Sequence, residues 1–273
     1  LPVAWAASSI IHLMLAEVLF RTGRDLQIVE LMHLYVLRGK IGRWFLWAIF
    51  AILSIAFLAN LAAYISGAGE ILASMLSIQP VPAQLIVYAI SAGIVYFGLR
   101  AVGFAERFGA LILAGLVAVL GFGAIPIPFH MKLTNSGSPS QWLALYGMVM
   151  YALWTFYSVP QVVKGLRPDS RGTIRVILVG LGINGLLTMI VAVIALGISS
   201  QVTEVAIIGI SEQMGAWAGY AGSIFIMAAM ITSYWSVSLA LADIIRERTK
   251  VPGIFAWLLA TIPSLLILWV GAW

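Results

Sequence analysis

The chain has 273 residues, 62% of them hydrophobic and 9% charged, whereas an ordinary soluble domain is about a quarter charged, and this balance excludes water as the main solvent of its surface. The absence of cysteine excludes disulfides and thiolate metal sites. The net charge of +5 reads as a topology signal rather than a nucleic-acid footprint, because the cations gather between apolar blocks.

Eight apolar blocks follow one another, each long enough for the roughly 20 helical residues that cross a hydrocarbon core. They are continuous rather than alternating apolar with polar, so helices are expected and a membrane barrel is not. The first block, from Val3 to Phe20, contains His12 and closes on Glu17, one turn before Arg21, a spacing that predicts an interfacial ion pair. His12, His33 and His130 have no metal-ligand partner at helical spacing. After the first block Ile28, Leu31, Met32, Tyr35 and Val36 fall at helical spacing behind Asp25. This pattern predicts a short amphipathic helix on the inner surface, with Asp25 as its cap.

The second block, from Trp44 to Ile78, is the longest and would measure roughly 50 Å as one helix. Ala59, Ala63 and Gly67 recur at four-residue intervals, which would let a neighbouring backbone approach closely. Asn60, Tyr64 and Gly67 share a face, which suits either polar contacts to a bound solute or plain helix packing. Glu70 is the carboxylate well inside this block, and a hydrated position near the outer end is expected in preference to a proton relay.

The third and fourth blocks run from Val81 to Leu99 and from Phe108 to Ile127, and the fifth from Trp142 to Val163. In the fifth, Pro160 follows Tyr151, Trp154, Thr155, Phe156, Tyr157 and Ser158. Proline lacks an amide hydrogen and clashes with the preceding turn, so a kink or break is expected just before it, with Pro160 starting an inner half-helix. A break at membrane depth is tolerated where it lines a cavity, and the amide end of such a half-helix favours an anion. The sixth block runs from Ile174 to Ile198; Val202 to Met214 is then expected as a short outer lid or an ordered loop. The seventh, from Trp217 to Ile245, presents Thr232, Ser233 and Ser236, whose hydroxyls suit a small cation or bonding back to their own helix. The eighth runs from Gly253 to Trp273.

With the first span running inward, Arg21, Arg24, Arg38, Lys40 and Arg43 fall in the first inner loop and Arg100 and Arg107 in the second. Lys164, Arg167, Arg171 and Arg175 fall in the third, and Arg246, Arg248 and Lys250 in the fourth, leaving Lys132 alone outside. Both ends then lie outside, residue 1 is Leu, and a preceding span is expected, with a cleaved signal peptide as the alternative for the first end, so the 273 residues read as one transmembrane domain cut from a longer protein.

Three segments together carry a family resemblance: Ala63 to Leu72 (AYISGAGEIL), Tyr151 to Asp169 (YALWTFYSVPQVVKGLRPD) and Thr232 to Ile245 (TSYWSVSLALADII). In this order the chain resembles the amino acid/auxin permease family of the amino acid, polyamine and organocation transporter group, nearest to the bacterial hydroxy and aromatic amino acid permeases. The resemblance implies an all-α multi-pass membrane protein with a partial five-plus-five inverted-repeat (LeuT-like) fold, the spans here matching family helices two through nine. It implies substrate binding by Tyr64 and Gly67 of the third family helix and by Trp154, Thr155, Phe156 and Ser158 at the break of the sixth. It also implies ion binding by Thr232 and Ser233 of the eighth. Family members often have glycine in the sixth-helix break; the bulky Trp154 and Tyr157 here would restrict substrate size.

The function so implied is secondary active transport of an amino acid at the cytoplasmic membrane by alternating access, coupled to Na+ or H+, with no other cofactor and no nucleic-acid partner. The alternatives are a sensor or assembly subunit that keeps the transporter fold, and a membrane-embedded enzyme. The last is disfavoured, since the sequence shows no nucleophile elbow, phosphate-binding glycine loop or intramembrane acid cluster.

Overall fold

A computed structural model describes residues 1–130, 137–199 and 206–270. Lys132, Glu204 with the rest of residues 202–205, and Trp273 lie outside the described residues. Among the described residues the regular elements are all helical: α1 (Pro2–Thr22), α2 (Ile28–Tyr35), α3 (Gly39–Leu76), α4 (Pro80–Tyr96), α5 (Leu99–Ala124) and α6 (Pro139–Ala152). A 3-10 turn (Phe156–Ser158) precedes α7 (Val159–Leu166), α8 (Ser170–Ile198), α9 (Ala206–Met214), α10 (Ala216–Thr249) and α11 (Gly253–Val270). Among the described residues six stretches are long and apolar enough to cross a membrane: α1, α3, α5, α8, α10 and the run from Pro139 to Leu166; α4 and α11 are shorter apolar helices.

Helices outlast their apolar blocks, because hydropathy marks where the chain suits lipid and not where the backbone ladder stops. Arg100 and Arg107, expected in a loop, lie on α5 together with Glu106; only Phe97 and Gly98 separate it from α4, with Gly98 at φ 78, where a side chain would be strained. Arg171 and Arg175 likewise lie on α8, and Arg246 and Arg248 on α10.

The chain divides into two compact units, Leu1–Gly23 with Leu111–Phe225, and Arg24–Ala110 with Ile226–Trp273. In the first, α1 packs on α6, α7 and α8, and α9 packs on α8. Leu120, Ile194, Ile198, Ile210 and Ala218 form an apolar core there, which Ile207 and Met214 of α9 help to cover. The Glu17 and Arg21 side chains meet at 2.7 Å, as their spacing predicts.

In the second unit α3 packs on α4 and α11. The close approach falls at Gly69 rather than along Ala59, Ala63 and Gly67: Ala63 is exposed, whereas a Cβ on Gly69 would lie 2.9 Å from the Gln84 Cα. The stripe fails because the buried face of α3 carries Leu61, Ala62, Ile65, Ala68 and Gly69, which turns Ala63 away. Gly69→Ala is therefore expected to cost about 1–3 kcal/mol, read as earlier unfolding in a detergent titration of the full-length protein. Gly93→Ala, where a Cβ meets nothing within 4 Å, should leave the midpoint unchanged or raise it.

The amphipathic helix forms, but Asp25 is not its cap. The cap position is Gln27, whose backbone N–H donates to Glu247 Oε2 at 2.6 Å. The helix α2 buries Val29 and Leu31, packs on α3, and is held by a 3.0 Å ion pair from Glu30 to Arg248 of α10, while Tyr35 and Val36 of the expected apolar face stay exposed.

Candidate functional site

The apolar run that starts at Pro139 does not cross as one helix. It begins firmly: Ser138 caps α6 by accepting from the Gln141 N–H, while the Gln141 side chain accepts from Ser138 N–H. It stops at Ala152, bends through Leu153, Trp154 and Thr155, turns once in 3-10 form and restarts as α7, whose first turn contains Pro160. Proline has no N–H to give the preceding turn, so the sequence dictates the interruption.

A break deep in an apolar helix leaves carbonyls without helical donors, and neighbouring helices supply them here. Asn184 of α8 donates its amide to the Ala152 carbonyl at 2.9 Å, and Ser8 of α1 donates its hydroxyl to the Leu153 carbonyl at 3.1 Å. One turn along α1 from Ser8, buried His12 reaches the break itself. Its Nδ1 lies 2.7 Å from the Ser8 carbonyl and its Nε2 3.1 Å from Thr155 Oγ1. Beside these hydrogen bonds the break gathers aromatic rings: Trp154 and Phe156 meet edge to face at 4.6 Å, and Phe156 and Tyr157 at 6.2 Å.

The four predicted residues Trp154, Thr155, Phe156 and Ser158 thus share one interrupted stretch in the first unit. The sequence reading missed Ser8, His12 and Asn184. A signal was present for the first two: Ala4, Ser8, His12 and Ala16 recur every four residues along α1, a small and polar stripe on an otherwise apolar helix, and all four are buried.

The other predicted residues lie in the second unit. Tyr64 is half-buried on α3, and Gly67 lies under Met230 of α10, where a Cβ would come within 2.8 Å of the sulfur. Thr232 presses its methyl on Gly109 of α5, while its hydroxyl donates back to the carbonyls of Ala228 and Ala229 at 3.0 and 3.1 Å. Ser233 is half-buried beside it. One turn further on, the Ser236 hydroxyl donates to Glu106 Oε1 of α5. The sequence reading passes over Glu106 because it lies just before the apolar block that starts at Phe108. It is half-buried, and among the described residues no cationic side chain pairs with it. Glu70, by contrast, is exposed and accepts from Ser66 at 3.0 Å.

A profile of the tryptophan/tyrosine permease family matches residues 1–253, a stretch that includes every residue of both clusters. The chain belongs to that family. Curated proteins gave no match. Membership in the tryptophan/tyrosine permease family points to amino acid transport across a membrane, a transporter's task rather than an enzyme's, with a small-molecule substrate and a lipid bilayer as surroundings. The long apolar helices fit that setting and make this a multi-pass membrane protein.

Proposed function

We propose that this protein carries an aromatic amino acid, tryptophan or tyrosine, across the cytoplasmic membrane by alternating access, driven by an H+ or Na+ gradient. The reading includes a partial five-plus-five inverted-repeat fold of the amino acid/auxin permease type, with α4 and α11 counted among eight spans. One observation carries it: the run from Pro139 to Leu166 is interrupted at Leu153 to Ser158, with its freed carbonyls already held by Ser8 and Asn184. A stretch so secured can present a hydroxyl, a helix amide end and aromatic edges to a zwitterion without unfolding. In this reading Thr155, Ser158 and the start of α7 meet the solute's carboxylate, and Trp154 and Phe156 meet its ring. The substrate-binding roles of Tyr64 and Gly67 belong to the same proposal and are tested separately by substitution.

Thr232 and Ser233 are proposed as ion ligands, and the half-buried Glu106 beside Ser236 adds a carboxylate that a proton or a small cation would neutralise. Full-length protein reconstituted in vesicles should accumulate tritiated tryptophan or tyrosine when either ion gradient is imposed. Binding without accumulation would favour the sensor reading instead, and failure to bind or move either amino acid would sink the proposal. Under sodium coupling, Thr232→Ala and Ser233→Ala should each weaken sodium-dependent binding by about tenfold, the scale of one lost ligand at about 1.4 kcal/mol. Unchanged sodium dependence removes both residues from the ion site.

A further inference from the structure

His12 is a titratable side chain in the middle of an apolar helix, 4% exposed, and its two nitrogens face different chemistry. Nδ1 lies 2.7 Å from the Ser8 carbonyl. A carbonyl oxygen can only accept, so Nδ1 carries a hydrogen. In the neutral ring Nε2 then bears a lone pair, and the Thr155 hydroxyl, 3.1 Å away, must be the donor. The hydrogen of Thr155 is thereby committed to His12 and withheld from anything bound at the break.

Protonation reverses this. A proton added at Nε2 turns that nitrogen into a donor, Thr155 Oγ1 becomes its acceptor, and the hydroxyl hydrogen is released to another acceptor. The imidazolium also places a positive charge against the break, where a carboxylate gains from it most. We propose that His12 binds the proton that loads together with the solute, and that Thr155 relays its protonation state to the solute's carboxylate. This rests on the transport reading above and deepens it by naming the ion and the residue that carries it.

The charges around His12 leave it free to play this part. Among the described residues no acidic side chain pairs with it. On α1 itself Glu17 and Arg21 pair with each other. Arg167, after α7, donates to the Leu19 carbonyl at 2.8 Å, two turns along α1. Of the elements packed on α1, α7 brings Lys164, and α8 with the link before it brings Asp169, Arg171 and Arg175, at the end of one helix and the start of the next. The ionisable groups on α6 and the 3-10 turn are the phenols Tyr146, Tyr151 and Tyr157.

By linkage, a proton that tightens solute binding is itself bound more tightly once the solute is present, by the same factor. Protonated His12 is the high-affinity form, so affinity is greatest at acidic pH and falls as His12 loses its proton. The test uses full-length protein in lipid nanodiscs with 15N-labelled histidine, assigned against His12→Gln, and tritiated tryptophan and tyrosine binding from pH 5 to 8.5. Neutral His12 should show the Nδ1–H tautomer, its proton affinity should rise when the amino acid is added, and wild-type affinity should fall about tenfold across its titration.

Glutamine at position 12 can still accept from Thr155 but cannot hold the proton, so His12→Gln should bind with a flat pH profile. Thr155→Val should leave His12 titrating while uncoupling it from binding, and Thr155→Ser should restore the coupling. An Nε2–H neutral tautomer, or an unaltered pH dependence in His12→Gln, overturns the role of His12 while the transport reading stands. Absence of tryptophan and tyrosine binding at every pH overturns both.

Discussion

Ser8→Ala combined with Asn184→Leu is expected to destabilise the full-length protein by about 1–3 kcal/mol, because each change removes one hydrogen bond worth about 0.5–1.5 kcal/mol net, the Leu153 carbonyl keeping the Thr155 N–H as a second donor and the Ala152 bond lying at an exposed position. Ser8 serves Leu153 at 3.1 Å and Asn184 serves Ala152 at 2.9 Å, from two different helices, so neither can stand in for the other. A denaturant titration in detergent should show the double variant unfolding well before either single one. Solute binding should weaken in parallel, because the break either refolds toward continuous helix as far as Pro160 allows or loosens. Ser8→Thr keeps the donor and should remain close to wild type. Equal stability of the double variant and wild type would mean that lipid or water replaces these donors, and that the side chains do not hold the break.

Arg248→Ala should cost about 3–5 kcal/mol, since it strands a largely buried carboxylate. Arg248 Nη1 lies 3.0 Å from Glu30 Oε1, the two side chains are 10% and 19% exposed, and the guanidinium sits 4.5 Å from the centroid of the Trp47 ring. Loss of this residue removes an ion pair and a cation–π contact together, and frees α2 from the end of α10. The expected readout is faster trypsin cleavage at Arg24 and Arg38, which flank α2, with a lower unfolding midpoint. Lysine at position 248 keeps the charge but not the planar stack, and should recover only part of the loss. Arg248→Leu with Glu30→Leu should be milder than Arg248→Ala, because no charge is left unpaired. If the double variant is worse than Arg248→Ala, the contact is more than a charge that must be neutralised.

How far the sequence could be read depended on the range of each interaction. The Pro160 break was legible because proline acts on its own preceding turn, and α3 because a long apolar run without proline has no local reason to stop. The ion pair of Glu17 with Arg21 was legible for the same reason, being one helical turn apart. Asp25 as a cap was a local guess that a distant residue overrode: Glu247, 220 positions away, takes the Gln27 N–H. The small-residue stripe on α3 failed similarly, since only the position of Gln84 decides that Gly69 is the glycine another backbone needs.

By itself, then, the sequence determined that the chain is helical and membrane-spanning, where its longest helix runs, and where one helix must be interrupted, since each follows from solvent preference and backbone chemistry within a few residues. The tertiary structure decided what holds the interruption, which of the three histidines faces it, and that Glu106 meets Ser236. Those are hydrogen bonds between residues 32 to 145 positions apart, and their partners become neighbours only when helices pack.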